Sequence, residues 1–231
     1  MKKSNKLLLG GFLALLLLIS AIHISLFAKY KAGDYTVYNS EEELTSQSIQ
    51  SFPNILFVAV RNVPGANITF GDAAHVEKTE ESDIQYVQKG DTLLITVKDS
   101  SDPSGFKDPV SFQVPYNATI TAFNSTIDLK TGRRAAGNNP VIYLQKSTAY
   151  FSGTNGPLQL GHVKLFASDG SRAAFEDKAQ VNNLEVQLSN SSLEYGDGDF
   201  GQLSIVTDSL SRLSLSSKHL LKANIKTVAS Q

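Results

Sequence analysis

The sequence predicts an all-β fold in which short strands stack as the coils of a β-solenoid, preceded by an N-terminal transmembrane helix. A short pattern of serine and apolar residues occurs five times, and the turns between its copies are rich in Gly, Asn and Asp. The first thirty residues contain one long uncharged apolar run. After residue 50, no window shows a long apolar stripe with helical spacing.

The repeated pattern is a serine followed by apolar side chains two and four residues later. Its copies, at steps of 22, 24, 20 and 20 residues, begin at Ser125, Ser147, Ser171, Ser191 and Ser211. Alternation by two places these side chains on one face of a strand, and stacked coils would align them about 4.8 Å apart. The first predicted column is Ile127, Ala149, Ala173, Leu193 and Leu213, and the second is Leu129, Phe151, Phe175, Tyr195 and Leu215. An antiparallel sandwich with regularly spaced hairpins is the alternative.

Shorter strand signals precede the repeats. "NILFVAV" and "ANITFGD" are predicted strands, and "SDIQYVQKGDTLLITVKD" is a predicted hairpin that turns at Lys89-Gly90-Asp91. The predicted organisation is a cytoplasmic tip and transmembrane helix over 1–28, a polar stalk over 29–50 and an exported β domain over 51–231. Solenoid repeats are expected from about residue 117.

The apolar run extends from Leu7 to Ala28 without a formal charge. At roughly 1.5 Å per residue it is long enough to cross a hydrocarbon core of about 30 Å. A cleaved signal peptide is the competing interpretation, but Leu26 would then occupy the −3 position, where a small residue is usual. We therefore favour a retained anchor.

The lysines around the run indicate its orientation. Three precede it and two follow it, namely Lys2, Lys3, Lys6, Lys29 and Lys31. Because positive residues are retained on the cytoplasmic side, the N-terminus is predicted to be cytoplasmic and the C-terminal domain to be exported, that is, periplasmic or extracytoplasmic.

Three segments after residue 51 resemble the head GIN domain family, whose members are labelled auto-transporter adhesins. They are "FPNILFVAVRNVPGANITFGD", "VQKGDTLLITV" and "VSFQVPYNATITAFNSTIDL". The family's G-x-L-x-I segment is matched from Gly90 to Ile95 with one extra residue. Its V-x-V-Y-x-P strand corresponds to Val114-Pro115-Tyr116 in altered order, and Asn124-Ser125 replaces its Gly-Ser pair. The resemblance covers roughly residues 52–225 and implies a right-handed β-solenoid with a role in envelope or surface attachment.

Composition excludes several functions. The net charge is −1, from 21 basic and 22 acidic residues, so no basic face for nucleic acid is expected. Cysteine is absent, which removes disulfides, thiolate metal sites and a cysteine nucleophile. No catalytic, cofactor-binding or metal-binding residue is predicted, and no cofactor.

Individual candidates for chemistry are interpreted as structural. His75, His162 and His219 form no spaced metal cluster and are expected to be ordinary surface histidines. Asp197-Gly198-Asp199 is expected to be a coil turn and not a calcium site, because one such segment supplies few of the six to eight oxygens that calcium takes. The four Asn-x-Ser/Thr matches, at Asn67, Asn117, Asn124 and Asn190, matter only if the source glycosylates exported proteins.

A β-solenoid can also carry paired carboxylates that cleave polysaccharides, which requires two acids about 5 to 9.5 Å apart. The available acids are Glu176, Asp177, Glu185, Glu194, Asp197 and Asp199, with Arg172 and Lys178 as candidate ligands for acidic sugar. No acid or base recurs in register on adjacent repeats, so an enzyme is the less favoured alternative.

The expected function is a non-catalytic, membrane-anchored, exported β-solenoid that acts as a binding or structural, adhesin-like module in the cell envelope. Its expected partners are the membrane, through one span, and an envelope glycan or protein. Two alternatives stay open. One is a polysaccharide-active enzyme; the other is an accessory subunit of a membrane complex whose interface is the helix, where Gly10-Gly11 allows close approach.

Overall fold

The structure is a computed structural model. It describes residues 48–78, 84–97, 109–130, 139–153, 157–176, 178–196 and 198–228, together with Phe12 and Ser20. The chain divides into two compact units, Met1–Thr45 and Ser46–Gln231. Apart from Phe12 and Ser20, the predicted span from residue 7 to 28 lies outside the described residues. Within the described part, no helix has the length and apolar character that a membrane crossing requires.

The described part of the second unit consists mainly of strands, as the sequence predicts. In chain order they are β1 Ser48–Phe52, β2 Phe57–Arg61, β3 Ala66–Gly71, β4 Ala74–Lys78, β5 Ile84–Lys89, β6 Thr92–Val97, β7 Val110–Pro115, β8 Thr119–Phe123, β9 Thr126–Lys130, β10 Val141–Gln145, β11 Thr148–Phe151, β12 Leu158–Ser168, β13 Arg172–Phe175, β14 Ala179–Ser189, β15 Ser192–Tyr195, β16 Asp199–Thr207, β17 Arg212–Leu215 and β18 Ala223–Thr227. One four-residue helix, α1 Ser217–Leu220, lies between β17 and β18.

These strands form two nine-stranded sheets. Sheet 1 has the order β1-β4-β7-β3-β9-β11-β13-β15-β17, and sheet 2 has the order β18-β16-β14-β12-β10-β8-β2-β6-β5. From β8 onward the chain alternates between the sheets, and each strand pairs in parallel with the strand one coil away. This is a β-solenoid. The antiparallel sandwich is therefore wrong, because the repeats pair in parallel.

The two predicted columns are confirmed. Ala149 pairs in register with Ile127 on one side and Ala173 on the other, and the column continues to Leu193 and Leu213. In the second column the rings of Phe151 and Phe175 stack with centroids 3.9 Å apart, and Tyr195 continues the stack at 5.0 Å. One coil could not bury its apolar face alone, and stacking of the coils buries these faces between the two sheets.

The repeated serines form a buried hydrogen-bonded ladder. Ser147 Oγ accepts from the backbone N–H of Ser125 (3.1 Å) and donates to the carbonyl oxygen of Gln145 (2.8 Å). The same link joins Val63 N–H to Ser125 Oγ, Ser147 N–H to Ser171 Oγ and Ser191 N–H to Ser211 Oγ. These hydroxyls satisfy buried backbone groups, which explains why a polar residue recurs inside the stack.

The corner before the serine uses a left-handed backbone. Asn62, Asn124, Lys146, Asp169 and Asn190 have φ between 47° and 58°. Asn and Asp tolerate this region better than other non-glycine residues, and Gly170 (φ 82°) extends the corner after Asp169. Asp169-Gly170 is thus one of the Gly-, Asn- and Asp-rich turns between the repeats.

The beginning of the stack differs from the prediction. The coil β2–β3 lies between β8–β9 on one side and β6–β7 on the other, so the solenoid includes residues well before 117. Val63 occupies the position of the ladder serine in this coil, and the serine pattern therefore could not reveal it. At this end β4 pairs antiparallel with β7 in sheet 1, and β5 pairs antiparallel with β6 in sheet 2. The predicted hairpin is confirmed as β5–β6, with Gly90 at φ 61°, and β1 begins inside the predicted stalk.

Candidate functional site: a groove on the outer face of sheet 2

The outer face of sheet 1 carries mainly polar and charged side chains in the repeat region. Arg172 on β13 donates through Nε and Nη2 to the two carboxylate oxygens of Glu194 on β15. This bond is the main reason why the pKa of Arg172 is raised above its ordinary value. The Arg172 guanidinium also lies 5.8 Å from the ring centroid of Tyr150. Arg172 thus contacts both Glu194 and Tyr150, so the charged groups on this part of the surface are already paired.

The outer face of sheet 2 is more aromatic. Its middle column, read along the stack in register, is Leu94, Ala59, Thr121, Tyr143, Phe166, Gln187 and Val206. The rings of Tyr143 and Phe166 stack with centroids 4.8 Å apart and planes 10° from parallel. This spacing is that of adjacent strands, so the sheet itself imposes the stack. Tyr143 is 42% exposed.

A shallow depression of about 240 Å³ follows this aromatic pair. We call it the aromatic groove, and it is lined by the side chains of Thr121, Tyr143, Gln145, Phe166, Ser168 and Gln187. None of these side chains is charged. Gln145 Nε2 donates to Asp169 Oδ2 at 2.7 Å, which fixes the amide at the edge of the groove. The groove presents ring surface beside uncharged donors and acceptors.

A second depression, of about 370 Å³, contains a cluster of ionisable side chains on the same face. His162 Nε2 lies 2.9 Å from Glu185 Oε1, and Lys164 Nζ lies 3.7 Å from Glu185 Oε2. Ser204 is in register with Glu185 and not with His162. A serine nucleophile must lie within hydrogen-bonding distance of its general base. Here the carboxylate of Glu185 lies between Ser204 and His162, so the serine and the histidine are not arranged as a nucleophile and its base. Within this half-exposed cluster Lys164 and Glu185 form an ion pair, a kind that contributes about 0–1 kcal/mol.

His219 is not a surface histidine, and the prediction for it was wrong. It is fully buried, because α1 places its ring against Tyr195 and Phe200 with centroids 4.9 and 4.8 Å away. Its Nε2 lies 3.0 Å from the carbonyl oxygen of Gly198, and its Nδ1 lies 3.1 Å from Ser216 Oγ. Burial is also the main cause of the raised pKa of Tyr195. His75 and His162 are partly exposed.

The candidate carboxylates do not converge. Glu185 faces outward from sheet 2, whereas Glu194 faces outward from sheet 1 and is bound by Arg172. Asp199 lies 3.8 Å from Lys222 Nζ, and Asp177 and Asp197 lie outside the described residues. Among the residues that the structure describes, no group of three or more His, Cys, Asp or Glu could hold a metal ion. The possible glycosylation residues Asn124 and Asn190 form coil corners, where Asn124 Nδ2 donates to Asn62 Oδ1 at 3.0 Å.

Tyr143 and Phe166 are absent from the candidates that the sequence indicates. Their signal is weak, since Tyr143 lies four residues before its ladder serine and Phe166 lies five before the next one. The corner at Asp169-Gly170 is one residue longer than the corner before Ser147. The register of Phe166 with Tyr143 is therefore evident only once the pairing of β10 with β12 is known.

Comparisons with known proteins assign no family. No protein-family model matches the chain, and no curated protein matches it. One solved structure is similar, that of a "putative cell adhesion protein" from Clostridium sporogenes, with 10% identity over 80% of this chain and 96% of that chain. Its TM-score is 0.26.

Proposed function

We propose that this chain is a non-catalytic, membrane-anchored and exported module that binds a glycan or protein of the cell envelope. The observation that carries the proposal is the outer face of sheet 2, where parallel pairing holds outward side chains in fixed columns and includes the stacked pair Tyr143 and Phe166. A stack whose side chains are fixed by the strand register is preorganised, so little ordering is required when a ligand binds.

A passive role fits the state of the ionisable groups. Arg172 is bound by Glu194, and both His162 and Lys164 contact Glu185. Glu194 and Glu185 thus each lie beside a cationic side chain, Arg172 and Lys164 respectively, on the exposed faces. The aromatic groove contains aromatic, amide and hydroxyl side chains, which suit binding more than acid–base catalysis.

The anchored and exported parts of the proposal rest on the sequence. The run from residue 7 to 28 and its flanking lysines support them, as does the resemblance to the head GIN domain family, and membership of that family stays a prediction. Protease protection in sealed membrane vesicles tests the orientation. Digestion of the C-terminal domain from the exported side, with retention of an N-terminal fragment in the membrane, is expected; full release by salt would contradict an anchor.

The binding role is tested with the full-length chain in a detergent that has no sugar headgroup. Glycan arrays and pull-downs from envelope extracts are probed in parallel, and a saturable partner in either is expected. Absence of binding across both panels contradicts the proposal. Turnover of a polysaccharide that Asp199→Asn or Glu185→Gln abolishes would instead establish the enzyme alternative.

Replacement of residues 7–28 by an unrelated apolar span separates the third alternative. A binding module needs only a tether, so its activity is expected to survive the replacement. Loss of function with an intact C-terminal domain would favour an accessory subunit whose helix is the interface.

A further inference from the structure

The aromatic groove has no charged lining side chain, although the chain contains 21 basic and 22 acidic residues. Asp169 is exposed and accepts a hydrogen bond from the amide of Gln145, and it is not among the residues that line the groove. An acidic ligand would find no counter-charge in the groove, and a basic ligand would find no carboxylate lining it. The composition of the groove therefore matches an uncharged ligand.

The ring stack ends inside the groove. Beyond Tyr143 the register places Thr121, and beyond Phe166 it places Gln187, so no further aromatic side chain continues the stack in this column. An aromatic face accepts a flat apolar surface at a spacing similar to that of the stack itself. A saccharide ring offers such a surface through the C–H groups of one face.

The polar groups of the groove match the rim of a saccharide ring. With Nε2 of Gln145 bound to Asp169, Oε1 of the same amide is left to accept a hydrogen bond. Thr121 adds a hydroxyl that can donate and accept. Ser168 Oγ donates to the carbonyl oxygen of Leu144 at 3.4 Å and can still accept, and Gln187 adds a second amide on an exposed position. Saccharide hydroxyls also donate and accept, so they can satisfy both kinds of group.

An extended peptide fits this groove less well. Each strand beneath it, β8, β10, β12 and β14, pairs with a neighbour on both sides, so its backbone groups are already used in the sheet. Peptide recognition by strand addition requires a free edge. The volume of about 240 Å³ is below the range of about 300–1,000 Å³ for enclosed ligand pockets, which indicates contact with one side of a ligand.

We propose that the aromatic groove is a binding site for a neutral saccharide. One sugar ring stacks on the Tyr143–Phe166 pair, and its hydroxyls bond to Gln145, Gln187 and the adjacent hydroxyl side chains. The site runs along the solenoid axis, so a linear oligosaccharide lies across successive coils. This inference rests on the proposed binding function and specifies its ligand class.

The test uses the full-length chain in the same sugar-free detergent. An array of neutral oligosaccharides built from glucose, galactose, mannose or N-acetylglucosamine is compared with an array of uronate-containing ones. The strongest neutral binder is then titrated calorimetrically against variants. Tyr143→Ala and Phe166→Ala are expected to weaken binding by about three- to tenfold, the loss of one stacked face, and Tyr143→Phe by less than about twofold.

Tyr150→Ala is the matched control, because Tyr150 lies one strand further along the same coil but on the outer face of sheet 1. It is expected to leave affinity within about twofold. Gln187→Ala provides an independent variant at an exposed position and is expected to weaken binding. Circular dichroism confirms that each variant is folded.

The outcomes separate the two proposals. Neutral saccharide binding that Tyr150→Ala weakens as much as Tyr143→Ala does would overturn the groove while leaving a binding function. Preference for uronate-containing sugars, or capture of an envelope protein without any saccharide binding, would overturn the ligand class. No binding on any panel would overturn the proposed function itself.

Discussion

Replacement of Ser147 by alanine tests the buried serine ladder. The hydroxyl accepts from Ser125 N–H and donates to the carbonyl oxygen of Gln145. That oxygen keeps a second partner, the N–H of Asn124 at 3.0 Å, whereas the amide of Ser125 loses its acceptor. One buried unsatisfied donor costs about 1–3 kcal/mol, so Ser147→Ala is expected to lower the free energy of unfolding by about 2 kcal/mol. For a domain of this size the melting temperature falls by about 2–4 °C per kcal/mol.

Urea unfolding followed by far-UV circular dichroism measures the loss. Ser214→Ala, an exposed outward position on β17, is the control and is expected to change stability by less than about 0.5 kcal/mol. Hydrogen exchange provides a local readout, because protection of the Ser125 amide should fall more than that of β2. If Ser147→Ala were as stable as Ser214→Ala and the Ser125 amide stayed protected, the hydrogen-bonded ladder would not be a source of stability.

Three further predictions follow from the core and the corners. Phe175→Ala removes the middle ring of a buried stack and is expected to cost about 3–5 kcal/mol in urea unfolding, with Phe175→Leu costing less. Asp208→Asn is expected to reduce stability at pH 7, with the difference from the parent narrowing as the pH falls below about 4. Hydrogen bonds, the strongest from Ser211 Oγ, lower the pKa of Asp208. The stabilisation by its carboxylate is therefore present above the ordinary carboxyl pKa and is lost on acidification. A difference in melting temperature between variant and parent that stays constant from about pH 7 to about pH 2.5 would contradict this. Gly201→Ala places a Cβ 2.5 Å from the carbonyl oxygen of Asn182 and is expected to lower the free energy of unfolding by about 1–3 kcal/mol. Gly65→Ala is the control and should be tolerated, because the nearest contact of its added Cβ is 3.5 Å. Equal melting temperatures for the two variants would refute the close approach at Gly201.

The parts of the fold that were predictable are those with a repeated physical requirement. Each coil must bury one face, and most corner amides bond to the serine hydroxyl of the next coil, so serine and two apolar side chains recur at steps of 20 to 24 residues and reveal the columns from Ile127 to Leu213. The coil β2–β3 has Val63 at the serine position and neighbours that are distant in sequence, and no local pattern records that pairing.

The candidate site was not predictable for a related reason. Outward side chains such as Tyr143 and Phe166 are under no requirement of core packing, so they follow no repeated pattern. Their stacking depends on the register between β10 and β12, which the longer corner at Asp169-Gly170 offsets by one residue. The burial of His219 likewise depends on where α1 folds back, a long-range event that a lone histidine in a polar segment does not indicate.

The position of β2–β3 between two coils that follow it in sequence constrains the order of assembly. A ribosome releases this coil first, yet the strand that covers one side, β8, and the strand that covers the other, β6, are both made later, with Arg61 facing Phe123 across β2 and β8. The coil β2–β3 therefore stays unpaired on both sides until these later strands are synthesised. The coils from β8 to β17, in contrast, can add one after another through contacts of short sequence separation. A nascent chain stalled before residue 119 contains β6 and β7 but lacks β8 and β9, so one flank of this coil exposes unpaired strand edges, a feature that makes partly folded chains prone to aggregation.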